Sequence, residues 1–200
     1  HLGCDFDVAT SPPQPNQIRP YLLYVGGRDS YKNFNRFLSA FASLRRKNAD
    51  VLLRCIGGKP FSPDEKKILA QLDLEPYISN EGFLDDFAMK QAYSGAIALV
   101  YPSLYEGFGI PILEAMHCGT AVITSNQASM PEVAGDAAIL FDPYSVESMA
   151  ASMERIFDSE TRGIHVTAGL QRASHFSWSK AAAESVKVYE AVSGLKRAAA

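Results

Sequence analysis

Two glutamates, Glu106 and Glu114, lie eight positions apart in the otherwise largely apolar stretch LYEGFGIPILEAM. A hydrophobic core does not require such carboxylates. Pro111 is suited to the first turn of a helix, so the stretch predicts a helix start after Glu106, with Glu114 one turn inside the helix. Carboxylates at such a place can accept hydrogen bonds from the hydroxyls of a bound ligand, including the vicinal diol of a ribose.

The backbone around this helix start offers donors as well. We expect the N–H groups of Phe108, Gly109 and Ile110 to point outward without partners, where they can bind an anion or a ring of hydroxyls. Gly107 and Gly109 have no side chain that would keep a ligand from the backbone. The structural alternative is that one glutamate complements the helix dipole and the other is solvated.

Two cations, Arg28 and Lys32, lie in the segment VGGRDSYKN, which leaves an apolar run and enters a helical pattern. Arginine offers a planar donor fork and lysine a point charge, a pair suited to a diphosphate. The alternative is two ordinary solvated loop cations. The chain has neither GxGxxG nor GxxxxGK[ST], so a conventional dinucleotide or P-loop site has no support.

Short apolar runs alternate with helical patterns from residue 20 onward, which predicts an α/β fold: a doubly wound, Rossmann-like parallel sheet. The predicted strands are residues 21–25, 51–56, 77–79, 96–101, 121–124 and 138–141. The predicted helices are residues 34–47, 63–74, 84–93, 111–118, 146–157, 160–174 and 180–192, with Asn33 as the cap of the first. In such a sheet ligands bind outside the carboxyl ends of the strands. The loops 26–33, 57–60, 81–85, 102–109 and 125–131 should therefore hold the site.

Composition narrows the function. The 200 residues, 47% hydrophobic and 20% charged, suffice for one domain or for half of a two-domain protein. A formal charge of −3 argues against a nucleic-acid surface. Three widely spaced cysteines, Cys4, Cys55 and Cys118, predict reduced thiols in a cytosolic protein. No His cluster accompanies the acidic pair at Asp85, so no metal site is expected. The proline-rich residues 1–19 predict a linker.

The segment from Glu106 to Glu114 resembles the E-x7-E motif of family 4 glycosyltransferases, and residues 25–28 with Lys32 and Asn33 resemble their diphosphate-binding loop. Residues 99–105, 121–125 and 131–135 follow the family in order and spacing, so the resemblance covers about residues 20–160. It implies one half of a GT-B architecture. Residues 20–197 would be the nucleotide-sugar-binding domain, and the N-terminal acceptor domain would be absent from this chain.

The resemblance also implies roles for single residues. Arg28 and Lys32 would bind the diphosphate and offset its charge, which with Glu106 makes them the implied catalytic residues. The implied donor-binding residues are Glu114 at the ribose, Phe108, Gly109 and Ile110 at the sugar, and Gly82, Phe83 and Leu84 near the base.

The activity implied is metal-independent hexosyl transfer with retained anomeric configuration. Its donor would be a UDP-, GDP- or ADP-linked sugar, no cofactor would be needed, and the acceptor would be a growing polysaccharide, an oligosaccharide or a lipid carrier. The isolated chain should bind donor without turnover. Peripheral contact with the inner face of a membrane stays open for the longer protein.

Other functions are compatible with the same fold. A sugar-nucleotide epimerase shares it, as does a phosphorylase, for which Lys59 would be the glycine-flanked candidate to carry pyridoxal phosphate. A non-catalytic nucleotide-binding or response-regulator-like module is a further alternative. A receiver domain should carry an acidic cluster after its first strand, where Gly26 to Arg28 stand instead.

Overall fold

The computed structural model describes residues 19–48 and 50–193, and the predicted linker, apart from Arg19, and Cys4 lie outside them. Six parallel strands form one sheet in the order β3-β2-β1-β4-β5-β6. They are β1 (Tyr21–Val25), β2 (Leu52–Ile56), β3 (Ile78–Asn80), β4 (Ala98–Tyr101), β5 (Ala121–Ser125) and β6 (Ile139–Phe141). The predicted doubly wound α/β fold is confirmed.

Helices cover both faces of the sheet, and they are α1 (Phe34–Arg45), α2 (Pro63–Gln71), α3 (Asp86–Ser94), α4 (Ile110–His117), α5 (Met130–Ala134), α6 (Val146–Arg155), α7 (Ser159–Ala173) and α8 (Trp178–Ser193). Helices α1, α2 and α6 share one hydrophobic core with the sheet. Helices α3, α4, α5 and α7 share the other. Within the described residues, no helix combines the length and the apolar character needed to cross a bilayer.

Strand β1 shows why the apolar runs are continuous. Its side chains alternate between the two cores: Leu22 and Tyr24 belong to the first, Tyr21 and Leu23 to the second, and all four are buried. A strand in the middle of a parallel sheet has no solvent face, so every position is apolar. Full burial of each such side chain contributes about 1.5–3 kcal/mol, which makes β1 the rigid support for the loop that follows it.

The boundaries differ from the predicted ones by a few residues, and two predictions were wrong. Met130 and Pro131, predicted as the end of the loop 125–131, instead begin the short helix α5. Asn33 occupies the N-cap position of α1 but makes no side-chain cap, because its backbone is left-handed, with φ 59°. Its amide instead donates to the carbonyls of Pro102 and Pro143, so it joins the loops that follow β1, β4 and β6.

Candidate functional site

The direction in which successive strands are added to the sheet reverses between β1 and β4, and the loops that follow these two strands diverge at this point. A cavity of about 810 Å³ opens at this point. Its floor is the ends of the two strands, at Val25 and Tyr101, and its sides are Lys32, the loop that contains Glu106 and the start of α4. One face of α8 forms the remaining wall. The crevice at a switch point is the usual ligand site of an open α/β sheet, as the sequence predicts here.

An ion pair between two lining residues, Lys32 and Glu106, lies at the edge of this cavity. Lys32 Nζ lies 2.7 Å from Glu106 Oε1, and each side chain is 13% exposed. Lys32 comes from a 3₁₀ turn after β1 and Glu106 from the loop after β4. The two loops are also tied through the backbone, since the N–H of Leu104 donates to the carbonyl of Tyr31 over 2.7 Å. Two of the three predicted catalytic residues are therefore in contact.

Two aromatic rings flank the ammonium group of Lys32. Its Nζ lies 5.4 Å from the ring centre of Tyr31 and 5.4 Å from that of Tyr101. The Tyr101 hydroxyl is 3.5 Å from the same nitrogen. Burial first, and then the neighbouring Glu106 carboxylate, raise the pKa of Tyr101 above its ordinary value. The hydroxyl therefore keeps its proton.

Arg28 is held from several sides. Its Nε donates to Glu65 Oε1 over 2.7 Å and its Nη2 to the carbonyl of Lys59, while the guanidinium lies over the rings of Phe34 and Phe61. The side chain is only 5% exposed. Its Nη1 is buried and has no hydrogen-bond partner among the described residues. A buried donor without a partner is costly in a folded protein unless a ligand satisfies it.

Glycines surround the two cations. Gly26 follows β1, and Gly57 and Gly58 follow the neighbouring strand β2. A Cβ on Gly58 would lie 3.2 Å from Arg28 Nη1, and one on Gly26 would lie 3.8 Å from Lys32 Nζ. Gly26 and Gly58 have positive φ angles, a backbone conformation that glycine adopts most readily. Side chains are thus excluded from the space beside both cationic groups.

The start of α4 lies where the sequence predicts it. Gly109 is the N-cap residue, with φ 101°, and the helix begins at Ile110. Phe108, Gly109 and Ile110 all line the cavity. The hydroxyl of Ser129 lies 2.9 Å from the carbonyls of both Glu106 and Phe108 and fixes the loop before the helix.

Glu114 occupies a different environment from Glu106. The Tyr93 hydroxyl donates to Glu114 Oε2 over 2.7 Å. Burial raises the pKa of Glu114 above its ordinary value, although the bond from Tyr93 acts in the opposite direction. The described residues that line the cavity do not include Glu114. Its role at a ribose stays a prediction.

The predicted base-binding residues follow β3. The carbonyl of Gly82 accepts the N–H of Gly57, which joins this loop to the glycines after β2. Phe83 is 89% exposed, so its ring is available to a ligand, whereas Leu84 packs against the second core. Their place at a nucleotide base stays a prediction.

Several residues of the site were missed in the sequence. Glu65 has the pattern of a capping-box glutamate and is one, through Ser62, but it also holds Arg28. Ser129 lies in a loop that was expected at the ligand edge without being singled out. Trp178 and the small residues of α8 reach the cavity only through tertiary packing, for which the sequence holds no local signal.

Metal-binding groups are not evident. Over residues 19–48 and 50–193, no three His, Cys, Asp or Glu side chains come together in a way that could hold an ion. His117 places its Nδ1 2.9 Å from the carbonyl of Leu113 in its own helix.

Comparison with known proteins identifies the family. Residues 8–168 match the family model described as glycosyl transferases group 1. This chain is 35% identical over 175 residues to O-antigen chain mannosyltransferase B of Escherichia coli, covering 85% of this chain and 45% of that protein. It is 31% identical over 191 residues to the MMP alpha-(1->4)-mannosyltransferase of Mycolicibacterium hassiacum, covering 92% and 46%.

A solved structure agrees. The C-terminal domain of the glycosyl transferase group 1 family protein LpcC from Francisella tularensis matches with a TM-score of 0.72 and 26% identity, over 85% of this chain and 94% of that one. The sheet and its switch-point cavity define one half of a GT-B glycosyltransferase. The chain belongs to the group 1 glycosyl transferases, and it spans about half the length of the curated relatives it matches.

Proposed function

We propose that this chain is the donor-binding half of a retaining, metal-independent glycosyltransferase and that its cavity holds a nucleoside-diphosphate sugar. The observation that carries the proposal is the buried, unpartnered Nη1 of Arg28. It faces glycines at the same sheet edge as Lys32, and a diphosphate is an anion that both groups can bind.

The two cations would act on the leaving group. When the bond between the anomeric carbon and the phosphate oxygen breaks, negative charge grows on the departing nucleoside diphosphate. Arg28 has one free donor nitrogen, and Lys32 has a further N–H besides the one that it gives to Glu106. Interactions that strengthen as this charge develops lower the barrier. The two residues would therefore stabilise the leaving diphosphate in place of a metal ion.

The other side of the cavity would hold the sugar. Glu106 can accept from sugar hydroxyls and stabilise positive charge at the anomeric carbon. The backbone N–H groups at the start of α4 lie on the same side and can donate to the hydroxyls. Glu114 would hold the ribose and Phe83 the base.

The relatives suggest the transferred sugar. Because both curated proteins described above are named mannosyltransferases, we infer a mannosyl donor. The acceptor would be a growing polysaccharide, an oligosaccharide or a lipid carrier, bound by a second domain outside this chain. We place the reaction in the cytoplasm, with peripheral contact at the inner face of the membrane where the acceptor is lipid-linked.

The test is ligand-induced stabilisation of this chain in EDTA, with GDP-mannose, UDP-glucose and ADP-glucose compared. A ligand at a hundred times its dissociation constant should stabilise the fold by about 2.7 kcal/mol. Arg28→Ala and Glu114→Ala should abolish the shift, and Arg46→Ala, which changes an exposed arginine at the end of α1, should keep it. Absence of a shift with every donor, or an unchanged shift in Arg28→Ala, would contradict the proposal.

The phosphorylase alternative has less support. Lys59, its candidate for pyridoxal phosphate, has an exposed side chain, whereas a Schiff-base lysine needs a pocket. An absorbance band of bound pyridoxal phosphate would support the phosphorylase alternative.

A further inference from the structure

Tyr101 contacts the cation of the Lys32–Glu106 ion pair. It ends strand β4 in the floor of the cavity, and it is 2% exposed. Its hydroxyl lies 3.5 Å from Lys32 Nζ, from which it accepts a hydrogen bond, and its ring lies beside the same ammonium group. Nothing in the motifs of the sequence assigned this residue a role.

We propose that Tyr101 is a positioning residue for glycosyl transfer: its hydroxyl and its ring hold the Lys32 ammonium group, which in turn pairs with Glu106. The inference rests on the proposed function and adds a residue to it. Glu106 and Lys32 come from two different loops, so without a common support each would follow the motion of its own loop. Tyr101 belongs to neither loop but to the central sheet, and it ties Lys32, and through the ion pair Glu106, to that rigid element.

The hydroxyl, more than the ring, is the informative part. A phenylalanine would fill almost the same volume at the end of β4 and would need no polar partner. A buried hydroxyl instead has to be hydrogen-bonded, and this one accepts from the Lys32 ammonium group of the proposed site.

The arrangement also directs Lys32. An ammonium group has three donors and rotates freely. Glu106 accepts from one of them and the Tyr101 hydroxyl from a second, and the Tyr101 and Tyr31 rings lie beside the group at equal distances. A cation held over ring faces loses part of its freedom, so the remaining N–H keeps one direction. We expect that direction to be the cavity, where the diphosphate would lie.

The experiment uses the full-length protein that contains this chain, with the nucleotide sugar that stabilises it as donor and water as acceptor. Release of nucleoside diphosphate gives kcat and KM for the parent and for Tyr101→Phe. Loss of a hydrogen bond to a charged group predicts a fall in kcat of about 10- to 100-fold. KM for the donor should change less than about threefold, since the cations that bind the diphosphate remain.

Tyr21→Phe is the matched control. Tyr21 is equally buried in the sheet, and its hydroxyl donates to the carbonyl of Ala92, away from the cavity. Both variants should melt at similar temperatures, but only Tyr101→Phe should lose kcat.

Three results would overturn the inference. Parent-like kcat in Tyr101→Phe would remove the role of the hydroxyl while leaving the proposed function intact. An equal loss of kcat in Tyr21→Phe would show a general effect of stability. A parent protein that neither binds nor cleaves any nucleotide sugar would refute the proposed function, and the role of Tyr101 with it.

Discussion

The second layer of residues decides how the charged groups of this site behave. Arg28 is positioned by Glu65, a residue from a helix that does not line the cavity. Ser129 similarly fixes the loop that carries Glu106. Such partners leave the chemistry to others but determine where a cation or a carboxylate points. Substitutions at these positions should therefore separate ligand binding from stability.

Glu65→Gln should destabilise the chain in a pH-dependent manner. Burial raises the pKa of Glu65, but hydrogen bonds from Ser62 and Arg28 outweigh it, so the folded-state pKa lies below the ordinary value of 4.5. The stabilisation is fully present above pH 4.5 and is lost as the pH falls through the folded-state pKa. Urea unfolding should show a difference from the parent of about 1–3 kcal/mol at pH 7 that narrows below pH 4.5.

The control for this prediction is Glu75→Gln, which changes an exposed glutamate with no such partners described. It should unfold like the parent across the pH range. If the difference in free energy of unfolding between Glu65→Gln and the parent stayed constant from pH 7 to pH 3, the ionised Arg28–Glu65 pair would be excluded as the cause of that difference.

Ser129→Ala should loosen the loop that precedes α4. The hydroxyl is shared by two backbone carbonyls, and its removal leaves them without this donor, at a cost of about 1–3 kcal/mol. We expect a weaker thermal shift with donor, because Glu106 and the N–H groups at the helix start lose their fixed arrangement. The control is Ser39→Ala, which removes only a long, exposed hydrogen bond to the carbonyl of Asn35 within α1. This variant should keep the full thermal shift with donor.

At the scale of elements, the sequence predicts the framework well and the connections less well. Continuous apolar runs identify buried strands because the middle of a parallel sheet has no solvent face, and β1, β2, β4 and β5 are found where expected. The start of α5 was placed in a predicted loop, and Asn33 was mispredicted as a side-chain cap because its amide donates to distant loops instead. Local propensity carries no information about such contacts.

The same limit applies to the candidate site. The glycine-flanked cations and the glutamate before α4 can be found from residue type and loop position, since loops after parallel strands meet at one edge. The partners of these residues cannot. That Lys32 pairs with Glu106, and that Arg28 pairs with Glu65, depends on side-chain directions that only the packed structure sets.

The turn after β2 gives a prediction at this scale. Gly58 has φ +76°, and a Cβ there would lie 3.2 Å from Arg28 Nη1 and 3.4 Å from the carbonyl of Gly26. Gly58→Ala should therefore lose about 1–3 kcal/mol of stability and most donor binding. Gly163→Ala, in the helical interior of α7 with open space around it, should be neutral or stabilising. Chemical denaturation and donor titration of both variants would check this, and equal behaviour of the two would contradict it.

At the scale of the whole molecule, the cavity wall is completed by α8, which is the last described helix in the sequence. Trp178, Ala181 and Ser185 face the space opposite the charged groups. Ala181→Trp should fill part of the cavity and abolish the thermal shift with donor, while the melting temperature without ligand stays near that of the parent. Ala183→Trp places the same side chain on an exposed position that does not line the cavity and should bind donor normally. Equal donor binding by the two variants would mean that the ligand does not reach α8.

The internal pairing of Lys32 with Glu106 has a consequence for selectivity. An empty site with two bare charges would attract any small anion, including inorganic phosphate. Here each charge is already neutralised by the other, so a simple anion gains little from Lys32 and is repelled by Glu106. A ligand that brings both a phosphate and adjacent hydroxyls satisfies both partners at once. In the proposed site the ion pair would therefore favour molecules that join a phosphate to hydroxyls over simple anions.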